Sequence, residues 1–217
     1  MLFRSEAAFA SLPAGDGRIA RSGSGEATAG EIVQDDTEQV HLVLGMQALQ
    51  RDDPDREVLD VVNHVFGGGL SSRLFDEIRE RRGLAYSVYS GATSYADAGA
   101  FTIYAGTQPA HAGQVMQLIY EQLDLLLKDG ISDDELDIAK GYLTGAFELG
   151  LEDTGSRMSR TAAQLITIAK VLPVAEQVAK WEAVQQADTR RVIERVLNQP
   201  LTVVALGPID GSVLPTR

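Results

Sequence analysis

The sequence has 217 residues and no cysteine, with 31 acidic against 19 basic side chains, a formal net charge of −12 and 44% hydrophobic residues. That composition fits one globular domain, and the missing thiols exclude a disulfide scaffold, cysteine catalysis and thiolate metal sites. The acidic balance argues against broad nucleic-acid or anionic-membrane binding, because neutralising phosphates takes a basic surface.

No run of about 18 apolar residues marks a membrane span, and the stretch after Met1-Leu2-Phe3-Arg4 lacks the apolar core of a signal peptide. The expectation is a soluble, cytoplasmic protein. Residues 14–31 are rich in glycine, serine and alanine and read as a linker. Residues 1–35 are therefore expected to be a linker or loosely ordered segment, with the domain spanning 36–217. The run VHLVLGMQA, Val40 to Ala48, is apolar on both faces, as a buried central strand would be. Asp53-Pro54 supplies a helix start, Val58, Val61, Val62 and Val65 recur at helical spacing, and Gly67-Gly68-Gly69 ends that helix. A short helix follows from Ser71 or Ser72, with Leu74, Phe75 and Ile78 on its apolar face and Gly83 as its stop.

After Gly83 the period becomes that of strands. Ala85 to Ser90 and Gly99 to Thr107 predict an antiparallel hairpin joined by GATSYADA. Pro109 opens an amphipathic helix closed by Gly130, and Ser132 with Glu135 forms a capping box for the next, the two making a helical hairpin. Further helices are predicted over Ser156 to Ala169, Val174 to Trp181 and Thr189 to Leu197, the last capped by Asp188. The closing run LTVVAL, residues 201–206, is a strand ended by Gly207-Pro208. This segregation of strands and helices predicts an α+β two-layer sandwich, an antiparallel or mixed sheet covered by helices on one face.

His41, His64 and His111 lie too far apart to share a helical turn, and no H-x-x-E-H or H-E-x-x-H occurs. Zinc needs several convergent ligands, so structural or surface roles are expected for all three. The glycine run FGGGLSSR lacks the G-K-[ST] of a phosphate loop and has only Arg73 as a nearby cation, which favours a tight turn with close backbone approach. Acidic clusters at Asp133-Asp134-Glu135 and Glu152-Asp153 read as helix caps.

Phe66 to Ser90, FGGGLSSRLFDEIRERRGLAYSVYS, followed by AFTIYAGTQP and ISDDELDIAKGYLTGAFEL, resembles the second-domain signature of the pitrilysin or insulinase superfamily. These are M16-type, inverted-motif zinc peptidases that include the mitochondrial processing peptidase. The resemblance runs from about Asp36 to Pro208. It implies one of two related α+β domains that face each other across a closed chamber. The partner domain or subunit carries H-x-x-E-H and zinc, and unfolded peptide is the substrate. The resemblance implies further that this chain binds no metal or other cofactor, is inactive alone, and supplies an arginine and a tyrosine, matched here by Arg79 and Tyr86, that reach the peptide. The residues agree with that role: a turn at Gly83 can bring guanidinium and phenol to one edge, where both can donate hydrogen bonds to a peptide carbonyl or oxyanion.

On residue chemistry alone, Arg79 is a solvated helix residue pairing with Asp76 or Glu80, and Tyr86 a sheet aromatic packed on Val88 or Ile103. Two other functions stay open: a structural scaffold like the core subunits of respiratory complexes, and a free-standing peptide-binding module using a sheet edge. A homodimer through the exposed chamber face is a further expectation. The acidity suggests a chamber wall that favours basic peptides.

Overall fold

The computed structural model describes residues 7–13, 30–211 and 214. Alternating apolar residues build its sheet. In β2 (Val40–Ala48), Val40, Leu42, Leu44 and Met46 turn to one face and are buried. The five strands are β1 (Glu31–Gln34), β2, β3 (Ala85–Ser94), β4 (Gly99–Thr107) and β5 (Thr202–Gly207), in the order β1-β5-β2-β4-β3. All pairs are antiparallel except β1 with β5, so the sheet is mixed.

Two expectations change here. β2 is central in the hydrogen-bond ladder but is covered on one face only, leaving Val43 at 37% exposure on the other. The sheet also starts before Asp36: Glu31–Gln34 pairs in parallel with Val204–Gly207 at the far end of the chain, a contact that local composition cannot show. Residues 14–29, most of the predicted linker, lie outside the described residues.

The helices cover the buried face. α1 (Arg56–Asn63) begins later than Asp53-Pro54 suggests, because the Asp53 carboxylate accepts the Asp55 N–H and shapes a preceding turn. α1 then runs on as a π-wound turn, His64–Gly68. α2 (Phe75–Glu80) is also π-wound and is followed by Gly83 in the left-handed region, φ 63°. The β3–β4 connection is tighter than GATSYADA, since β3 continues to Ser94 and only residues 95–98 turn, closed by Tyr95 N–H to Ala98 O at 2.7 Å. A 3₁₀ turn at Pro109–His111 leads into α3 (Ala112–Asp129), ended by Gly130 at φ 75°.

The capping box of α4 (Asp133–Gly150) forms as expected, and α5 (Thr154–Ile168) is capped by Asp153. α6 spans Val174–Glu182 and α7 Gln186–Leu197. Asp188 lies inside α7, where its carboxylate reaches back to the Gln185 N–H, so α7 starts a turn earlier than its apolar pattern indicates. α3 and α4 are consecutive but packed on different neighbours, α3 chiefly on α7 and α4 chiefly on α6. α3 and α4 thus pack mainly on other helices and not on each other as the predicted hairpin would have them. Phe66, Leu74, Ile78, Phe101, Ile103, Met116 and Leu123 are fully buried between sheet and helices. Two charged ties fasten the helical layer. Arg73 grips Glu135 with two bonds of 2.7 Å and Gly130 O with a third. Arg191 and Arg195 hold Asp55 and Asp53 at the start of α1.

Candidate functional site at the joint between α2 and β3

In α2 the usual acidic neighbours of an arginine are taken: Arg81 binds Asp76 at 2.8 Å, and both Arg81 and Arg82 bind Glu77. Among the described residues Arg79 makes no ion pair. Its guanidinium carbon lies instead 4.7 Å from the centroid of the Phe75 ring and 5.0 Å from that of Tyr86. Tyr86 is placed by a bulge. Ala85 pairs with Thr107 and Ser87 with Gly106, so Tyr86 is the extra, unopposed residue and is 76% exposed. The structure therefore brings together the two predicted site residues. The alternatives of an Asp76 or Glu80 pairing for Arg79, and packing on Val88 or Ile103 for Tyr86, do not describe them.

Two hollows flank this pair, of about 330 and 360 Å³. Gln39, Leu84, Thr107, Gln108 and His111 help line the first; Gly67–Leu70, Phe75, Tyr89 and Tyr142 help line the second. No carboxylate lines either. A third hollow between α1, α5 and α6 is lined in part by charges paired with one another, Glu57 with Arg56 and Lys180, and Glu176 with Lys170.

Beyond Tyr86 the uncovered sheet face continues in cross-strand rows. One row is Tyr89, Tyr104, Val43 and Val204, and its neighbours are Ser87, Gly106, His41, Leu206 and Gly91, Thr102, Gly45, Thr202. Tyr104 bonds His41 Nδ1 at 2.8 Å, its ring lies 5.0 Å from that of Tyr89, and burial pushes its phenol upward so that it stays protonated. None of these outward positions on β2 to β5 is Asp, Glu, Lys or Arg. Exposed acids sit on the helical layer, among them Glu121, Asp124, Asp133, Asp134 and Asp137, and on β1 and the turn after it, at Glu31, Asp35, Asp36 and Glu38. The overall acidity is thus not expressed in the outward residues of β2 to β5.

The glycine run is architectural. A Cβ on Gly67 would lie 2.6 Å from the Ser90 backbone N, and one on Gly69 2.5 Å from the His64 ring, so the turn packs too closely for side chains. Arg73, the cation beside the run, is committed to Glu135. His64 is buried and stacked on Tyr142 at 4.2 Å, and burial lowers its pKa. Among the described residues no three His, Asp or Glu side chains converge as a metal site.

Residues 5–143 match the family model described as the peptidase M16 inactive domain. The chain belongs to this family. Among relatives of this M16 domain, an uncharacterized zinc protease of Streptomyces coelicolor is 40% identical over 179 residues, covering 82% of this chain and 39% of the relative. A second uncharacterized zinc protease, from Mycobacterium bovis, is 39% identical over 194 residues, 89% of this chain and 43% of the relative. The chain thus spans less than half the length of these relatives. The crystal structure of a peptidase M16 inactive domain from Pseudomonas fluorescens superposes with a TM-score of 0.81 at 26% identity, over 95% of this chain and 52% of that one. The sequence reading of this M16 domain missed Phe75, Tyr89, Tyr104 and Tyr142 as neighbours of the site. The alternation in YSVYS could have flagged Tyr89; the others reach the site through strand pairing and helix packing.

Proposed function

We propose that the chain is the non-zinc half of an M16-type metalloendopeptidase, in which Arg79 and Tyr86 hold the peptide for a zinc-bearing partner domain. The observation that carries this reading is an arginine with no ion pair, stacked against a tyrosine that a bulge pushes into solvent. A guanidinium left free of carboxylates keeps its N–H donors for a ligand, and its stacking on Phe75 and Tyr86 limits its rotamers before the ligand arrives. The phenol O–H adds a second donor. Together they suit the carbonyl oxygen of an extended peptide and the negative charge that develops on it during hydrolysis. In this reading bond breaking belongs to the partner half, whose zinc is consistent with relatives named zinc proteases.

The test is turnover of an unfolded peptide by the chain combined with its zinc-bearing half. Arg79→Ala and Tyr86→Phe should each lower kcat about 100-fold, the scale of losing one oxyanion donor, with circular dichroism unchanged. Normal turnover in both variants removes the assigned roles, and stable assembly with full indifference to them would favour a scaffold.

A further inference from the structure

The uncovered sheet face says what kind of peptide it takes, an inference that rests on the proposed function for its setting but not for its test. In a chain of net charge −12, the outward positions of β2 to β5 carry no charged side chain. The face is continuous with the site: Ser87 and Tyr89 follow Tyr86 on β3 and line the same hollow as Arg79. Its central row joins Tyr89, Tyr104, Val43 and Val204, with Tyr89 at 52% and Val204 at 38% exposure, and reaches its first carboxylate only at Glu31 on the edge strand β1. The hydrogen-bonding side chains within it on β2 to β5 include no Asp, Glu, Lys or Arg, and the His41–Tyr104 bond joins two of them.

We propose that this wall binds extended peptide segments rich in apolar and aromatic side chains, and discriminates against basic and acidic ones alike. A charged side chain laid on the middle of the face, between Arg79 beside β3 and Glu31 on β1, loses hydration and meets no counter-ion among the outward residues of β2 to β5, which is unfavourable for either sign. An apolar side chain gains about 25 cal/mol for each Å² withdrawn from water against Val43, Val204 and the tyrosine rings. Long-range attraction of cations by the acidic helices acts from the far layer and is screened over about 8 Å at physiological salt.

The experiment measures binding of three fluorescein-labelled, glycine- and serine-framed peptides to the chain by anisotropy, without the zinc half. Their central residues are alternating leucine and phenylalanine, four lysines, or four glutamates. The apolar peptide should bind at least about 10-fold tighter than either charged one, with little change between about 50 and 500 mM salt. Val43→Glu and Tyr89→Glu should each weaken it by about 10-fold and improve lysine-peptide binding, while Ile166→Glu on the distant, exposed face of α5 leaves all three unchanged. Circular dichroism excludes unfolding, and two variants on different strands guard against loss of either. Preference for the lysine peptide, equal binding of all three, or no saturation by about 1 mM overturns the proposal. Because no turnover is read, failure here leaves the Arg79 and Tyr86 roles standing, and their failure leaves the wall standing.

Discussion

Arg79 acquires its distinctive state from its neighbours' pairings. With Asp76 and Glu77 bound by Arg81 and Arg82, its guanidinium rests on two rings, where Lys could not reproduce the planar stacking. Asp60 is a second residue whose behaviour is set by surroundings. Burial pushes its carboxyl up to about 6 from 3.8, against the opposing pull of the Trp181 Nε1 hydrogen bond at 3.1 Å. The folded state then holds that proton more tightly than the unfolded chain, so its contribution to stability declines as pH rises from 3.8 through 6 and stays lost at pH 7. Asp60→Asn keeps an acceptor for Trp181 and should gain ~1–2 kcal/mol at pH 7 in urea unfolding, with no gain at pH 3. Equal effects at both pH values would show that titration is not the cause.

At the scale of elements, the glycine turn and α4 make opposite predictions. Gly67→Ala forces a methyl against the β3 backbone and should cost ~1–3 kcal/mol, by the ordinary penalty of overpacking. Gly141→Ala, on α4 with open space around it, should instead stabilise by ~0.5–1 kcal/mol through helix propensity. Urea midpoints of the pair decide whether close approach or glycine content is what matters. α5 has a good cap in Asp153 but buries none of its residues. Its amides should therefore exchange with deuterium well before those of α3, which buries Val115, Met116, Ile119 and Leu123; equal protection in the isolated chain would mean that α5 is held by something other than its own packing. The cap of α5 was legible at Glu152-Asp153, whereas the absence of any burial beneath it was not, because an amphipathic pattern states which face is apolar and not whether anything covers it.

For the whole molecule, the histidines show how dispersed the potential ligands are. His41 lies on the open sheet face, His64 in the turn after α1, and His111 in the 3₁₀ turn before α3. Zinc added to the chain alone should leave its Tm unshifted, since a ligand raises stability only by binding the folded state; a rise of several degrees would reveal a site that this arrangement does not provide. The α+β class, most strand and helix positions and the capping box at Ser132 were legible in the sequence from local signals: apolar period, caps and glycine stops. Arg79 and Tyr86 were singled out only by the family resemblance, since residue chemistry alone gave them ordinary surface and packing roles. Tertiary structure alone decided that one face of β2 stays open, that β1 joins the sheet, that α3 and α4 pack on different neighbours, and that the outward residues of β2 to β5 include no acid. These depend on pairings between distant segments, and the alternation that makes a strand two-faced says nothing about which face finds a partner. The same reason explains the site: the sequence determined that an arginine and a tyrosine flank a turn, and only the π-wound helix and the bulge set them against each other in the open.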